Sequence, residues 1–86
     1  MARISGKHND SDLLYRLGAA IRARRKSTGL SQEGLADAAG MERAYIGRVE
    51  RGERNVTILN VEKISAALDL TPGKLMTLAD SITPKS

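Results

Sequence analysis

Residues 31–52, SQEGLADAAGMERAYIGRVERG, read as two short helices joined by a tight turn. Leu35 and Ala39 stand four apart, and Ile46 and Val49 three apart, so each pair shares one face of a helix. Gly40 falls between the two sets, where a left-handed residue ends one helix and releases the chain at a sharp angle. Met41 is expected to point back into that angle. The opposite face of the second helix carries Glu42, Arg43, Gly47, Arg48 and Arg51, a set too polar to bury as it stands. A helix braced by its partner, with arginines held outward, has the form that a reader of the DNA major groove needs.

Further landmarks flank this stretch: Arg22, GLSQ at 29–32, RAYIGRVERGERNVT at 43–57 and LDLTPGKLM at 68–76. In that order and at that spacing they resemble the phage-repressor and Cro-like (XRE) helix-turn-helix family. The segment AYIGRVERGERNVT is similar in particular to the controller proteins of restriction–modification systems. The resemblance implies an all-α, five-helix, lambda-repressor-like domain with the helix-turn-helix at helices two and three. It also implies a homodimer that binds duplex DNA and regulates transcription, with helix 42–51 in the major groove of a near-palindromic operator. Gln32 is then a phosphate contact, Arg54 and Asn55 add base and phosphate contacts, and Arg25 pairs with Glu50 to tie the first helix to the third.

Composition narrows the alternatives. The chain has 86 residues, room for one small domain. There is no Phe or Trp and only two Tyr, so the core is expected to be aliphatic and modest. Dimerisation would add burial that such a core lacks. With no Cys there is neither a disulfide framework nor a thiolate metal site, and no metal or other cofactor is expected. His8 stands alone in a polar segment without neighbouring ligands. No apolar run approaches a membrane span and no signal-peptide core opens the chain, so a soluble, cytoplasmic protein is expected. The formal net charge of +4 points to a polyanionic partner. The charge is also clustered: Arg22, Arg24, Arg25 and Lys26 lie together, as do Arg43, Arg48, Arg51 and Arg54.

In chain order, residues 1–10 read as a mobile arm, either a solvated tail or a basic arm reaching a minor groove through Arg3 and Lys7. Residues 11–80 form the DNA-binding domain and 81–86 a polar tail. The first helix is expected to start near Ser11, with Leu13, Leu14, Leu17, Ala20, Ile21 and Arg25 at helical spacing, and to end at Gly29. Its basic end suits the helix dipole as well as a phosphate. Ser31 caps the second helix, Thr57 the fourth and Thr71 the fifth, with Pro72 at the first helical position. Gly34, inside a short helix, costs about 1 kcal/mol relative to Ala, and close approach of a neighbouring backbone or a phosphate is the reason the sequence offers.

Glu42 is a poor cap for the third helix. It either accepts from a cytosine amine or pairs with Arg43 or Arg48. Arg43 has the fork to take guanine O6 and N7 together, Ala44 offers a methyl contact, and Gly47 allows close backbone approach. Tyr45 either packs inward with its hydroxyl out or lies against a base step. Ile58, Val61, Ile64, Ala67 and Leu68 are expected to form the buried stripe of helix four. Leu75, Leu78, Ala79 and Ile82 either seal the core or make the dimer contact.

An antitoxin or adaptor that uses these helices to hold a protein partner is the competing class. It would call for an apolar, charge-poor outer face, which the arginines of helix three oppose. An enzyme finds no support: there is no Cys, the single His stands in the arm, and no carboxylate pair sits in an apolar setting. No small-molecule ligand is evident.

Overall fold

Hydroxyl side chains set where three of the helices begin. Ser31 Oγ accepts from the Gly34 N–H at 2.9 Å, and Thr57 and Thr71 accept from the N–H groups of Asn60 and Lys74, each at 3.1 Å. Each bond satisfies one of the amides that a helix leaves unpaired at its start, worth about 1 kcal/mol. Pro72 follows Thr71 at a position where no N–H is needed. The computed structural model describes residues 12–83, as five α-helices and no strand. They are α1 (Asp12–Ser27), α2 (Gln32–Ala39), α3 (Arg43–Glu50), α4 (Ile58–Ala67) and α5 (Pro72–Ser81). The arm with Arg3, Lys7 and His8, the expected helix start at Ser11, and residues 84–86 lie outside the described residues.

Gly40 ends α2 with φ of +70°, and Met41 turns back so that its N–H donates to the Ala36 carbonyl at 2.8 Å. This is the sharp release expected between the two helices of the motif. Glu42 stands at the start of α3 and makes no side-chain cap bond. α1 packs on α5 and α3, α2 on α3 and α4, and α4 on α5. Ile21, Leu35, Ile46, Ile64, Leu68 and Leu75 are at most 1% exposed, so every helix and the turn after α4 supply the one aliphatic core. Burying each such side chain is worth roughly 1.5–3 kcal/mol.

Two expected apolar faces are redrawn. Along α4 and its C-cap the buried line is Val61, Ile64, Ser65 and Leu68, with Ala67 half-buried. Ser65 enters the core because its hydroxyl donates to the Val61 carbonyl at 2.7 Å. Ile58, expected in that stripe, is 80% exposed: it is the first helical residue, and among the described residues no neighbouring element covers it. In α5, Leu75 and Ala79 are fully buried within the monomer, so neither is available to a second copy. Only Leu78 and Ile82 of the expected dimer contact reach the surface.

Gly18 has a role that the sequence reading did not assign. A Cβ there would press on the carbonyl oxygens of Val49 and Glu50, 2.6 Å from the latter. The absent side chain therefore lets the C-terminal end of α3 lie directly on the middle of α1. Backbone atoms cannot yield as a flexible side chain can. Gly18→Ala is expected to destabilise the domain by about 3 kcal/mol despite the better helix propensity of Ala. Urea denaturation measures this, and a midpoint at or above the wild-type value would refute the close approach.

Candidate nucleic-acid interface

The site is organised from beneath by a buried charge pair. Arg25, in the last turn of α1, donates through Nε to Glu50 Oε2 at 2.7 Å and through Nη2 to Glu50 Oε1 at 3.1 Å. Its Nη1 donates to the Leu30 carbonyl at 2.9 Å. The side chains are 10% and 2% exposed, so the expected Arg25–Glu50 pair exists and is shielded from water. Glu50 Oε1 also accepts from Gln32 Nε2 at 3.0 Å. One carboxylate thus joins the end of α1, the start of α2 and the last residue of α3.

Above this network Gln32 crosses to the outer side of α3. A Cβ on Gly47 would meet Arg51 Nη1 at 3.3 Å and the two amide heteroatoms of Gln32 at 3.8 and 3.9 Å. Gly47, expected on the exposed polar face, is instead buried beneath these two side chains, and its small size seats them. Arg51 is steadied by Glu53, its Nε donating to Glu53 Oε2 at 3.1 Å in an exposed pair. The reason for Gly34 is also local. A Cβ there would lie 3.2 Å from the Ser31 hydroxyl and 3.4 Å from Leu30, with no foreign backbone near it.

The remaining members divide by what holds them. Glu42, Arg43, Ala44 and Arg48 are exposed, and among the described residues no hydrogen bond or ion pair engages the three charged side chains. The pairing considered between Glu42 and Arg43 or Arg48 is therefore not formed. Tyr45 packs inward, half-buried against the core, with its hydroxyl accepting from Asn60 Nδ2 at 3.0 Å. The Arg54 guanidinium lies 5.6 Å from the Tyr45 ring centroid, a cation–π distance that covers the ring. Of the two poses considered for Tyr45, the inward one is adopted. Asn55 is exposed in the loop beyond α3. In the first basic cluster Arg25 is buried and Arg24 donates through Nε to the Leu68 carbonyl at 3.0 Å, which leaves Arg22 and Lys26 facing solvent.

The sequence reading missed three supporting residues: Glu53, which holds Arg51; Asn60, which holds Tyr45; and Gly18 beneath the end of α3. Of these only Gly18 carried a usable signal, as a glycine inside a helical run on the core-facing side.

Two short helices with this angle, brace and outward arginine face define a helix-turn-helix domain. Residues 21–75 match the helix-turn-helix family model, and the chain belongs to that family, in its XRE-type branch. It is 41% identical over 66 residues to the control protein C.MunI of Mycoplasma sp, spanning 76% of this chain and 89% of that one. To the control protein C.BamHI of Bacillus amyloliquefaciens it is 44% identical over 69 residues, 79% of this chain and 83% of the other. The crystal structure of the restriction-modification controller protein C.AhdI from Aeromonas hydrophila superposes with a TM-score of 0.71 at 47% identity, covering 72% of this chain and 94% of that one. The chain is accordingly a transcriptional regulator of the helix-turn-helix class and not an enzyme. Among the described residues no helix is long and apolar enough to cross a membrane.

Removing the acceptor shared by Arg25 and Gln32 leaves a guanidinium buried without its counter-charge. Glu50→Ala is expected to cost about 3–5 kcal/mol, well above the 1 kcal/mol or less of an exposed pair. Chemical denaturation reports the change, and a loss below about 1 kcal/mol would mean that water reaches the pair.

Proposed function

We propose that the chain is a sequence-specific, duplex DNA-binding transcriptional regulator that acts as a homodimer on a near-palindromic operator. The observation that carries this reading is the outer face of α3: Arg43 and Arg48 are exposed and, among the described residues, free of internal partners beside Ala44, on a helix braced from below. Such groups are available to base edges or phosphates without first breaking an internal bond. Arg43 takes a guanine through O6 and N7, Glu42 accepts from a cytosine amine, and Ala44 meets a thymine methyl. Gln32 still has one amide N–H and its carbonyl oxygen to offer after bonding Glu50, and beside Arg51 it meets a backbone phosphate at the start of α2. Tyr45 keeps its hydroxyl proton to donate, and Arg54, Asn55 and Arg48 add contacts along the groove edge.

The names of the relatives support a controller role in a restriction–modification system, with the protein in the cytoplasm beside the genes it regulates. A protein-binding adaptor would present apolar surface on α3, and that outer face is instead charged. Two subunits related by a two-fold place their α3 helices in successive major grooves, about 34 Å apart, so half-sites are expected about one helical turn apart.

Arg43→Ala is expected to lose about 1–3 kcal/mol of discrimination at particular base pairs, whereas Gln32→Ala weakens all sequences alike. Affinities for a panel of single-base operator variants separate the two, and a uniform loss with Arg43→Ala would make that residue a phosphate contact. With Arg48, Arg51 and Arg54 on phosphates in both subunits, log affinity should fall against log salt with a slope of about −5. A slope near zero would refute the interface altogether.

A further inference from the structure

We propose that Asn60 is a positioning residue of the DNA interface, which through Tyr45 holds the Arg54 side chain where it meets a backbone phosphate. Asn60 is the third residue of α4, and its backbone N–H donates to the Thr57 hydroxyl at 3.1 Å. A longer Glu or Gln at that place can fold back to the cap. The short amide of Asn60 instead reaches across to α3 and donates through Nδ2 to the Tyr45 hydroxyl at 3.0 Å. Asn is also a poorer helix former than Ala, so local preference does not account for it. Nor does the seating of α3. That helix is already fixed by the Glu50 carboxylate and by its backbone approach to α1 at Gly18, and it packs along α1 and α2. The bond therefore acts on a side chain, the half-buried Tyr45.

What Tyr45 carries is Arg54. The loop beyond α3 gives that residue little hold of its own. Among the described residues no backbone hydrogen bond engages Arg54, Asn55 or Val56, and the Arg54 side chain is exposed. Its guanidinium lies 5.6 Å from the Tyr45 ring centroid. Contact with a ring face engages the flat side of a guanidinium and leaves its N–H donors, which lie in the plane, unused. Among the described residues no other group takes any of those donors. The long side chain is thus ordered before it binds, and its fork stays open to a phosphate, which it can take through two parallel N–H bonds. Ordering in advance strengthens binding because the complex no longer bears that cost. This inference rests on the reading of the chain as a DNA-binding regulator. To that reading it adds a residue of α4 that acts on the interface through two other side chains.

The test uses the full chain with Asn60→Ala, Arg54→Ala, the two combined, and Tyr45→Phe, which removes the same bond from its other end while keeping the ring. Circular dichroism establishes that each is folded. Nuclear Overhauser contacts between the Tyr45 ring and the Arg54 side chain read the stack without DNA, with the Tyr15 ring as the control that should not change. Titration at fixed salt then uses the duplex that the wild type selects from a random pool, together with its single-base variants. Asn60→Ala and Tyr45→Phe are each expected to lose the contacts between ring and Arg54. Asn60→Ala should bind every duplex about fivefold more weakly, the cost of ordering a long side chain on binding. In the Arg54→Ala background the same change should cost nothing further. A loss of equal size in both backgrounds would make Asn60 a structural tie alone and overturn the assignment. So would ring contacts that persist in Asn60→Ala and Tyr45→Phe, wild-type affinity once those contacts are gone, or a loss confined to particular base pairs. A wild type whose ring contacts depend on Asn60, but that selects no duplex, would uphold the hold on Arg54 and defeat the DNA reading instead.

Discussion

The fold depends on the carboxylate of Glu50. Its two oxygens receive three donors, two from Arg25 and one from Gln32, and the remaining arm of Arg25 reaches the Leu30 carbonyl. Burying either charge alone would be costly, and the pair tolerates burial because each group finds several partners of good geometry. What this arrangement supplies above all is position. It fixes the end of α3 against α1 and the start of α2. Gly18 lets that same end of α3 come into backbone contact with α1. A close approach without the ion pair would leave α3 free to slide, and an ion pair without the close approach would hold it at the wrong depth.

Positioning from below leaves the outer face of α3 free for another task. The arginines of this chain are divided accordingly. Arg25 is spent in the buried pair, Arg24 on the Leu68 carbonyl, and Arg16 on Asp12 and, at 3.4 Å, on Asp80. Arg51 and Arg54 are held lightly, by an exposed carboxylate and by an aromatic face. Exposed pairs of that kind are worth at most about 1 kcal/mol, so they orient a side chain without preventing it from exchanging its partner for a phosphate. Among the described residues Arg43 and Arg48 have no partner to give up. Along this series, commitment to the protein falls as the residue approaches the proposed groove.

Local rules made much of this legible in advance. Ser31, Thr57 and Thr71 cap where a hydroxyl ahead of an apolar-periodic run should cap, and Gly40 adopts the left-handed turn that separates α2 from α3. What escaped depends on which neighbour arrives from elsewhere in the chain. Ile58 fits the period of α4 as well as Val61 does, but among the described residues no element covers its side of the first turn. Gly47 sits on the polar side of α3 and is covered all the same, because Gln32 comes across from α2. Leu75 and Ala79 read as surplus apolar surface on a terminal helix, yet α1 and α4 close over α5 and consume both. Tyr45 had two plausible poses until Asn60, fifteen residues on, supplied a donor for its hydroxyl. Periodicity gives the face of a helix; it does not say which faces the other helices will reach.

The same limit applies to apolar residues that the closed monomer leaves outside. An interface between copies looks, in sequence, like part of a core, since both are apolar at helical spacing. The difference emerges only once the monomer has closed and some apolar residues remain outside. Here the core is complete without Ile58 and Leu59, while the chain has no large aromatic to spare and relies on Leu, Ile, Val and Ala for its burial. Leaving two of its larger aliphatic side chains in water is a real cost in so small a domain, where hydrophobic burial must offset the entropy of the whole chain. Asn60 meanwhile ties the same turn to Tyr45, so the start of α4 is held in register with α3 even though two of its side chains face water.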